Sequence, residues 1–289
     1  MSKNTKGALY MTLACICFST AGVMFKYISW SAISSNGVRT FIAACMFLIY
    51  MKLTGKKLIV NKTVVSAAVC VMLTTVFFAL SNKLTTAANA IILQFTAPVF
   101  IILYTAFIKR AKPKRAELLT CVAVFAGLIL FFFDSMSTGH YLGDLFGILA
   151  GVAYAGVFIL NTESDSDAPS AIVIGYFVCA LLSIPFIAFE TDFSARTLLM
   201  LVCLGVFQLG AGYKFFTLSL PLLGAIPASL MSGLEPVLNP LLTALFYPEE
   251  KPGVFSLCGA AVVLASILAY NVAKALQESK NVGKTQSSY

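Results

Sequence analysis

The stretch "SLMSGLEPVLNPLLTALF", Ser229–Phe246, is apolar enough to cross a bilayer, yet it carries an acid, an amide and two prolines near its middle. At helical spacing Ala228, Ser232, Glu235, Asn239 and Thr243 share one face. A charged side chain at the bilayer centre costs about 2.5–3.5 kcal/mol, so Glu235 is expected to face a cavity or a partner rather than lipid. Pro236 and Pro240 supply no N–H to the carbonyls of Ser232 and Pro236, and unpaired backbone groups at membrane depth persist only against protein or water. Pro98 frees the carbonyl of Gln94 in the same way. The chemistry these residues suggest is binding of a small polar molecule, with Glu235 as ligand and as candidate for proton coupling.

Further polar side chains within apolar runs extend the candidate binding set. Glu235, Asn239, Ser232, Gln94, Lys214, Tyr213, Asn89 and Gln208 are the substrate-binding candidates, with Lys214 also a candidate ion-pair partner for Glu235. Arg39 and Lys26 lie nearer the ends of their runs and are read as gate residues or as side chains that reach back to the interface. Pro98, Pro236 and Pro240 are read as helix kinks. Catalytic and metal chemistry find little support. There is one histidine, His140, and all eight cysteines (Cys15, Cys17, Cys45, Cys70, Cys121, Cys179, Cys203 and Cys258) fall in apolar runs with no CxxC pair. No GxxxxGK[ST] phosphate loop occurs, so no cofactor is expected and ATP is not the expected driving force.

The elements that must hold these residues follow from composition. The chain has 289 residues, 59% hydrophobic and 11% charged, with mean hydropathy +0.91. A soluble domain of that size carries about a quarter charged residues. Runs of about 20 apolar residues each suffice to cross the hydrocarbon core. Ten are expected: Gly7–Ser29, Ile33–Leu53, Val64–Ser81, Ala87–Ile108, Ala116–Phe133, Leu142–Leu160, Ala171–Phe189, Thr197–Ser219, Leu222–Tyr247 and Val254–Lys274. The polar tail, 275–289, is expected to be cytoplasmic and without regular structure. Alternate connections hold fourteen of the lysines and arginines, and the opposite connections hold only Lys83, Arg196 and Lys251. By the positive-inside rule both termini are cytoplasmic. "KRAKPKR" is then a topology signal, not a nucleic-acid patch.

The sequence also repeats. Phe77–Ala106 and Phe215–Ala244 align without a gap at an offset of 138, with twelve of thirty positions identical, among them Ser81/Ser219, Pro98/Pro236 and Thr105/Thr243. "GALYMTLA" (Gly7–Ala14) pairs with "GDLFGILA" (Gly143–Ala150) at a nearby offset. Five spans per copy is an odd number, so the second copy enters from the opposite face. The expected fold is all-α and membrane-embedded: ten transmembrane helices in two inverted five-helix repeats, 7–133 and 142–274. That arrangement is characteristic of secondary transporters, which bind substrate near the midplane between repeats.

On these residues the chain resembles the EamA-type members of the drug/metabolite transporter superfamily. The motif "AANAIILQFTAPVFIILYTAFI", a basic hairpin and "LLTCVAVFAGLILF" recurs as "GLEPVLNPLLTALFYPEEKPGVFSLCGAAVVLASILAY", over about residues 7 to 274. Where such halves end the fourth helix with Gly-Glu, the first half has "IKRAKPKR" and the second keeps Glu249 and Glu250 without the glycine. The resemblance implies export of amino acids, metabolites or toxic compounds.

The functional expectation is a secondary active transporter, an exporter of a small organic metabolite such as an amino acid or related amine, working by alternating access with proton coupling through Glu235. An uncoupled facilitator or channel for small solutes is the alternative, and a membrane-embedded enzyme a weaker one, since no acid–base or nucleophile cluster supports it. Expected partners are the substrate, the lipid bilayer and protons, with no nucleic acid, and the chain acts as monomer or homodimer. The expected location is a bacterial inner (plasma) membrane, multi-pass.

Overall fold

The computed structural model describes residues 3–85, 87–133, 139–247 and 253–286, and every regular element among them is a helix. In chain order these are α1 (Lys3–Ser19), α2 (Ala21–Phe25), α3 (Ala32–Leu53), α4 (Lys62–Leu84), α5 (Ala87–Gln94), α6 (Ala97–Phe107), α7 (Arg115–Phe131), α8 (Tyr141–Leu160), α9 (Ala168–Ile187), α10 (Ala195–Cys203), α11 (Gly212–Leu223), α12 (Ala225–Ser232), α13 (Glu235–Phe246) and α14 (Val254–Gln286). A π-helical stretch, Leu204–Ala211, joins α10 to α11. Glu249, Glu250 and Lys251 lie outside the described residues, as do the side chains of Lys83, Pro240, Lys280 and Lys284.

Short polar caps start the helices where the connections end. Ser31 Oγ accepts from the Ser34 amide at 3.2 Å, Asn61 Oδ1 from Val64 at 2.8 Å and Asp167 Oδ2 from Ser170 at 2.9 Å. Each satisfies an amide that the first turn leaves without a carbonyl.

Eight helical stretches among the described residues are long and apolar enough to cross a membrane, the longest being Ala195–Leu223 at 29 residues. Two of the ten expected spans are not among these eight. At 17 residues α7 reaches only about 26 Å, and Leu222–Tyr247 is interrupted between α12 and α13. The interruption corrects the kink expectation. Pro236 and Pro98 sit at the first turns of α13 and α6, where a missing N–H costs nothing. The chain therefore stops and restarts instead of bending. The two turns, Phe95–Thr96 and Gly233–Leu234, lie at the repeat offset and have matching bonds: Thr96 N to Leu93 O at 3.2 Å, and Leu234 N to Met231 O at 3.1 Å. At the C-terminus α14 continues past Lys274 to Gln286, where the polar tail was expected to lack regular structure. The first residues of the tail, 275–278, are good helix formers, whereas Ser279, Asn281, Val282, Gly283 and Thr285 beyond them are not.

The principal packing pairs are α1 with α11, α3 with α9, α4 with α8 and α7 with α14. Ser81 Oγ donates to Gly143 O and Ser219 Oγ donates to Gly7 O, both at 2.8 Å and both from fully buried hydroxyls. At the α7–α14 crossing, a Cβ on Gly259 would run into the backbone of Phe131 and Gly127, and one on Gly127 would press on the Gly259 carbonyl at 3.1 Å. Such close approach, rather than apolar burial, is what binds helices in lipid.

Candidate binding site

Glu235 opens α13 and is half-buried. Its backbone carbonyl accepts from Ser19 Oγ at 3.3 Å, and one turn earlier Cys15 Sγ donates to Met231 O at 3.7 Å, so α1 supplies donors along the interrupted helix. The carboxylate itself has neither a hydrogen bond nor an ion pair among the described residues. Its electrostatic surroundings are Cys15, Tyr154, Tyr213 and one opposite charge, Arg39.

Arg39 lies on α3, and its guanidinium is held firmly. Nε and Nη2 donate to Asn36 Oδ1 at 3.0 and 2.8 Å, and Nη1 donates to Gln208 Oε1 at 3.2 Å. Asn36 is oriented in turn by donation from Nδ2 to Cys179 Sγ at 3.1 Å. The Arg39 guanidinium stands over the Phe25 ring at 5.0 Å, in cation–π range. Gln208 is carried by the π-helical stretch, which turns a buried amide toward α3. Such stretches recur where a helix must present a functional group.

Aromatic rings fill the space beside these charges. Tyr213 packs edge-on against Phe18 at 4.9 Å and against Tyr176 at 5.5 Å, and Tyr154 tilts against Phe158 at 4.8 Å beside Ser232. Gln94 Oε1 is buried with no hydrogen-bond partner among the described residues, while the Tyr176 hydroxyl lies toward that of Tyr213. Buried polar atoms normally have partners, so Gln94 Oε1 is a candidate contact for a ligand or water.

The structure thus gathers Glu235, Arg39, Gln208 and Tyr213, and gives the other candidates the following partners. Lys214 does not meet Glu235: it is exposed, and its ammonium stands 4.8 Å from the Tyr50 ring centre. Asn239 and Thr243 abut α2, where a Cβ on Gly22 would collide with both side chains. Ser232 spends its hydroxyl on Ser229 O at 2.7 Å. Asn89 donates to Asp144 Oδ1 at 3.1 Å and to Thr85 Oγ1 at 3.2 Å, a separate polar cluster at one end of α8. Lys26 stands over Tyr247 at 4.7 Å. Sequence reasoning missed Asn36, Tyr154 and Tyr176. Asn36 carried a signal, because it precedes Arg39 by three residues and so shares its helix face.

Two sets of bonds tie loops together at opposite ends of α3. At one end Ser29 Oγ donates to Asp192 Oδ2 at 2.7 Å, Trp30 Nε1 to Asp192 O at 2.6 Å and the Ser31 amide to Glu190 Oε1 at 3.0 Å. Bonds from Thr197, Ser29 and Ser194 hold the Asp192 carboxyl well below the usual carboxylate range. At the other end Asn61 Nδ2 donates to Asp165 O at 2.8 Å, Thr63 Oγ1 to Asp165 Oδ2 at 2.6 Å and the Ile59 amide to Ser170 Oγ at 3.0 Å. There too Lys109 pairs with Glu163 at 2.7 Å, a hydrogen bond that raises the lysine's pKa. Among the described residues no three His, Cys, Asp or Glu side chains gather as a metal site.

Comparison with known proteins bears on this arrangement. The family model described as "EamA-like transporter family" matches residues 5–133 and again 141–272. An "Uncharacterized transporter" of Archaeoglobus fulgidus is 24% identical over 265 residues, covering 91% of this chain and 95% of that protein. An "Uncharacterized inner membrane transporter YicL" of Salmonella typhimurium is 26% identical over 266 residues, covering 85% and 88%. A crystal structure at 18% identity superposes with a TM-score of 0.78 over 94% of this chain and 99% of that one, a likeness of fold.

Proposed function

This chain belongs to the EamA-like transporter family, a multi-pass membrane protein whose substrate is a small molecule, and from that premise we propose that it is a secondary transporter exporting a small organic amine, an amino acid or close relative, by alternating access. The observation that carries the reading is the Glu235 carboxylate, half-buried and unpartnered among the described residues in the middle of a membrane-embedded bundle. A charge so placed is costly without a role, and an incoming ammonium group or a proton gives it one.

In this reading the chain is ten spans in two inverted repeats, 7–133 and 142–274, with α5/α6 and α12/α13 as the interrupted fourth and ninth. The reciprocal bonds Ser81–Gly143 and Ser219–Gly7 support it, because corresponding residues exchange partners as they do across a twofold axis. Helix pairing agrees: α1 with α11 exchanges with α8 with α4, while α3 with α9 and α7 with α14 each map onto themselves. The two loop latches are related by the same exchange, and opening either end requires breaking the bonds of one of them. The charge asymmetry supports cytoplasmic termini, placing Asp165 inside and Asp192 outside, in a bacterial inner membrane.

The test is flux. Proteoliposomes should take up radiolabelled amino acids or amines saturably, accelerate under counterflow, and respond to an opposed proton gradient. Saturable uptake indifferent to that gradient would mean an uncoupled facilitator, unsaturable flux a channel. Glu235→Gln that kept the full pH dependence would remove the coupling role, and cells preloaded with substrate report the direction.

A further inference from the structure

Resting on the transporter reading, we infer that Arg39 receives a carboxylate of the substrate, with Asn36 and Gln208 as the residues that position it, so that the site takes a molecule bearing both an ammonium and a carboxylate. The reasoning is a count of donors. A guanidinium has five N–H groups and no acceptor. Nε and one N–H of Nη2 go to Asn36, and one N–H of Nη1 goes to Gln208. What remains is one N–H on each terminal nitrogen, with no partner among the described residues. Two spare donors on one planar group suit the two oxygens of a carboxylate.

The fork is held rather than merely present. Asn36 has its amide fixed by Cys179, whose sulfur also lies 3.4 Å from Thr75 Oγ1, and Phe25 stands against the guanidinium. Glu235 is the opposite charge nearby, yet the two form no ion pair. Both residues are only partly buried, and an acid and a base within electrostatic reach that do not bond each other suit a ligand with complementary ends. A phosphate dianion would add charge repelled by Glu235, whereas a carboxylate balanced by its own ammonium brings none. The tyrosines at 154, 176 and 213 would flank such a ligand, offering apolar faces and hydroxyls.

The test uses full-length purified protein and calorimetric binding of L-leucine and L-serine beside leucinamide and serinamide, which keep the ammonium and lose the carboxylate charge. The zwitterion should bind wild type about tenfold to a hundredfold tighter than its amide. Arg39→Lys keeps the charge but loses the fork, and should weaken zwitterion binding far more than amide binding, so that the advantage disappears. Gln208→Ala should reduce the advantage in the same sense. Continued amide binding shows that each variant is folded, and Gln208→Ala carries the test if Arg39→Lys does not fold. Equal binding of zwitterion and amide to wild type, or an advantage surviving in the folded variants, would overturn the inference and leave the amine-transporter reading standing. If none of the four probes binds wild type, both fall together.

Discussion

Replacing Glu235 by glutamine removes a charge with almost no change of shape, and its consequences can be worked out. The carboxylate makes no hydrogen bond or ion pair among the described residues, and the bond that fixes this position runs from Ser19 to the Glu235 backbone carbonyl, which glutamine keeps. Arg39 retains its bonds to Asn36 and Gln208. The fold should therefore be unaffected, with the unfolding temperature within about 2 °C of wild type, a shift worth less than about 1 kcal/mol in a chain of this size. Binding should not survive as well. A carboxylate–ammonium contact at 4 Å is worth about 4 kcal/mol at an effective dielectric of about 20. Glutamine keeps a neutral hydrogen bond of about 0.5–1.5 kcal/mol, and desolvating the ions takes back part of the remainder. A net loss of about 1.5–3 kcal/mol weakens Kd for leucinamide or serinamide about tenfold to 150-fold. Calorimetry at several pH values reads it: wild-type affinity should fall as acid protonates the carboxylate, and the variant should show no such fall. A variant Kd within about threefold of wild type, with the pH dependence intact, would refute the assignment of Glu235 as the cation ligand.

Other expectations follow from the same geometry. Trp30→Phe removes the 2.6 Å bond to the Asp192 carbonyl but keeps a ring to pack against Phe193, so it should weaken the latch at that end by about 0.5–1.5 kcal/mol. Spin labels at Ile28 and Thr191 should then report a larger open population, and an unchanged distance distribution would count against a gate there. The depressed pKa of Asp192 gives a signed pH dependence. Its contribution is complete above the unfolded carboxylate value near 4 and fades below that as pH falls toward the lower folded value, so the same label pair should show no change between about pH 5 and pH 9. Gly259→Val forces a branched side chain onto the backbone of Phe131 and Gly127, and should destabilise the protein by about 1–3 kcal/mol or more, read as thermal unfolding in detergent. A neutral result would mean that the α7–α14 crossing is looser than described.

Much of the fold was legible in the sequence because bilayer crossing is a simple demand: long apolar runs, with charge confined to connections. What hydropathy could not supply was continuity. Prolines at positions 98 and 236 read as kinks in long helices, yet both occupy first turns of new ones, where the missing N–H costs nothing, whereas Pro185 and Pro221 do sit inside α9 and α11. Glu235 stood out because an acid in an apolar run has few explanations. Its neighbours did not, since spacing along the chain gives depth but not rotation. Lys214 is adjacent to Tyr213 in sequence, yet about 100° of helix rotation leaves the lysine exposed while Tyr213 packs inward. Position along α3 suggests a gate or an interface-reaching side chain for Arg39, and gives no sign of its bond to Gln208, 169 residues away. No local pattern encodes that contact.

The account stands or falls on equivalent loops of the two halves facing opposite sides of the membrane, and single-cysteine labelling at Val60 and at Ala195, in a chain whose eight native cysteines are replaced, tests this most directly. In intact cells an impermeant maleimide should label position 195 and reach position 60 only after permeabilisation. Labelling of both from the same side would contradict the inverted repeat, and with it the shared binding site between halves.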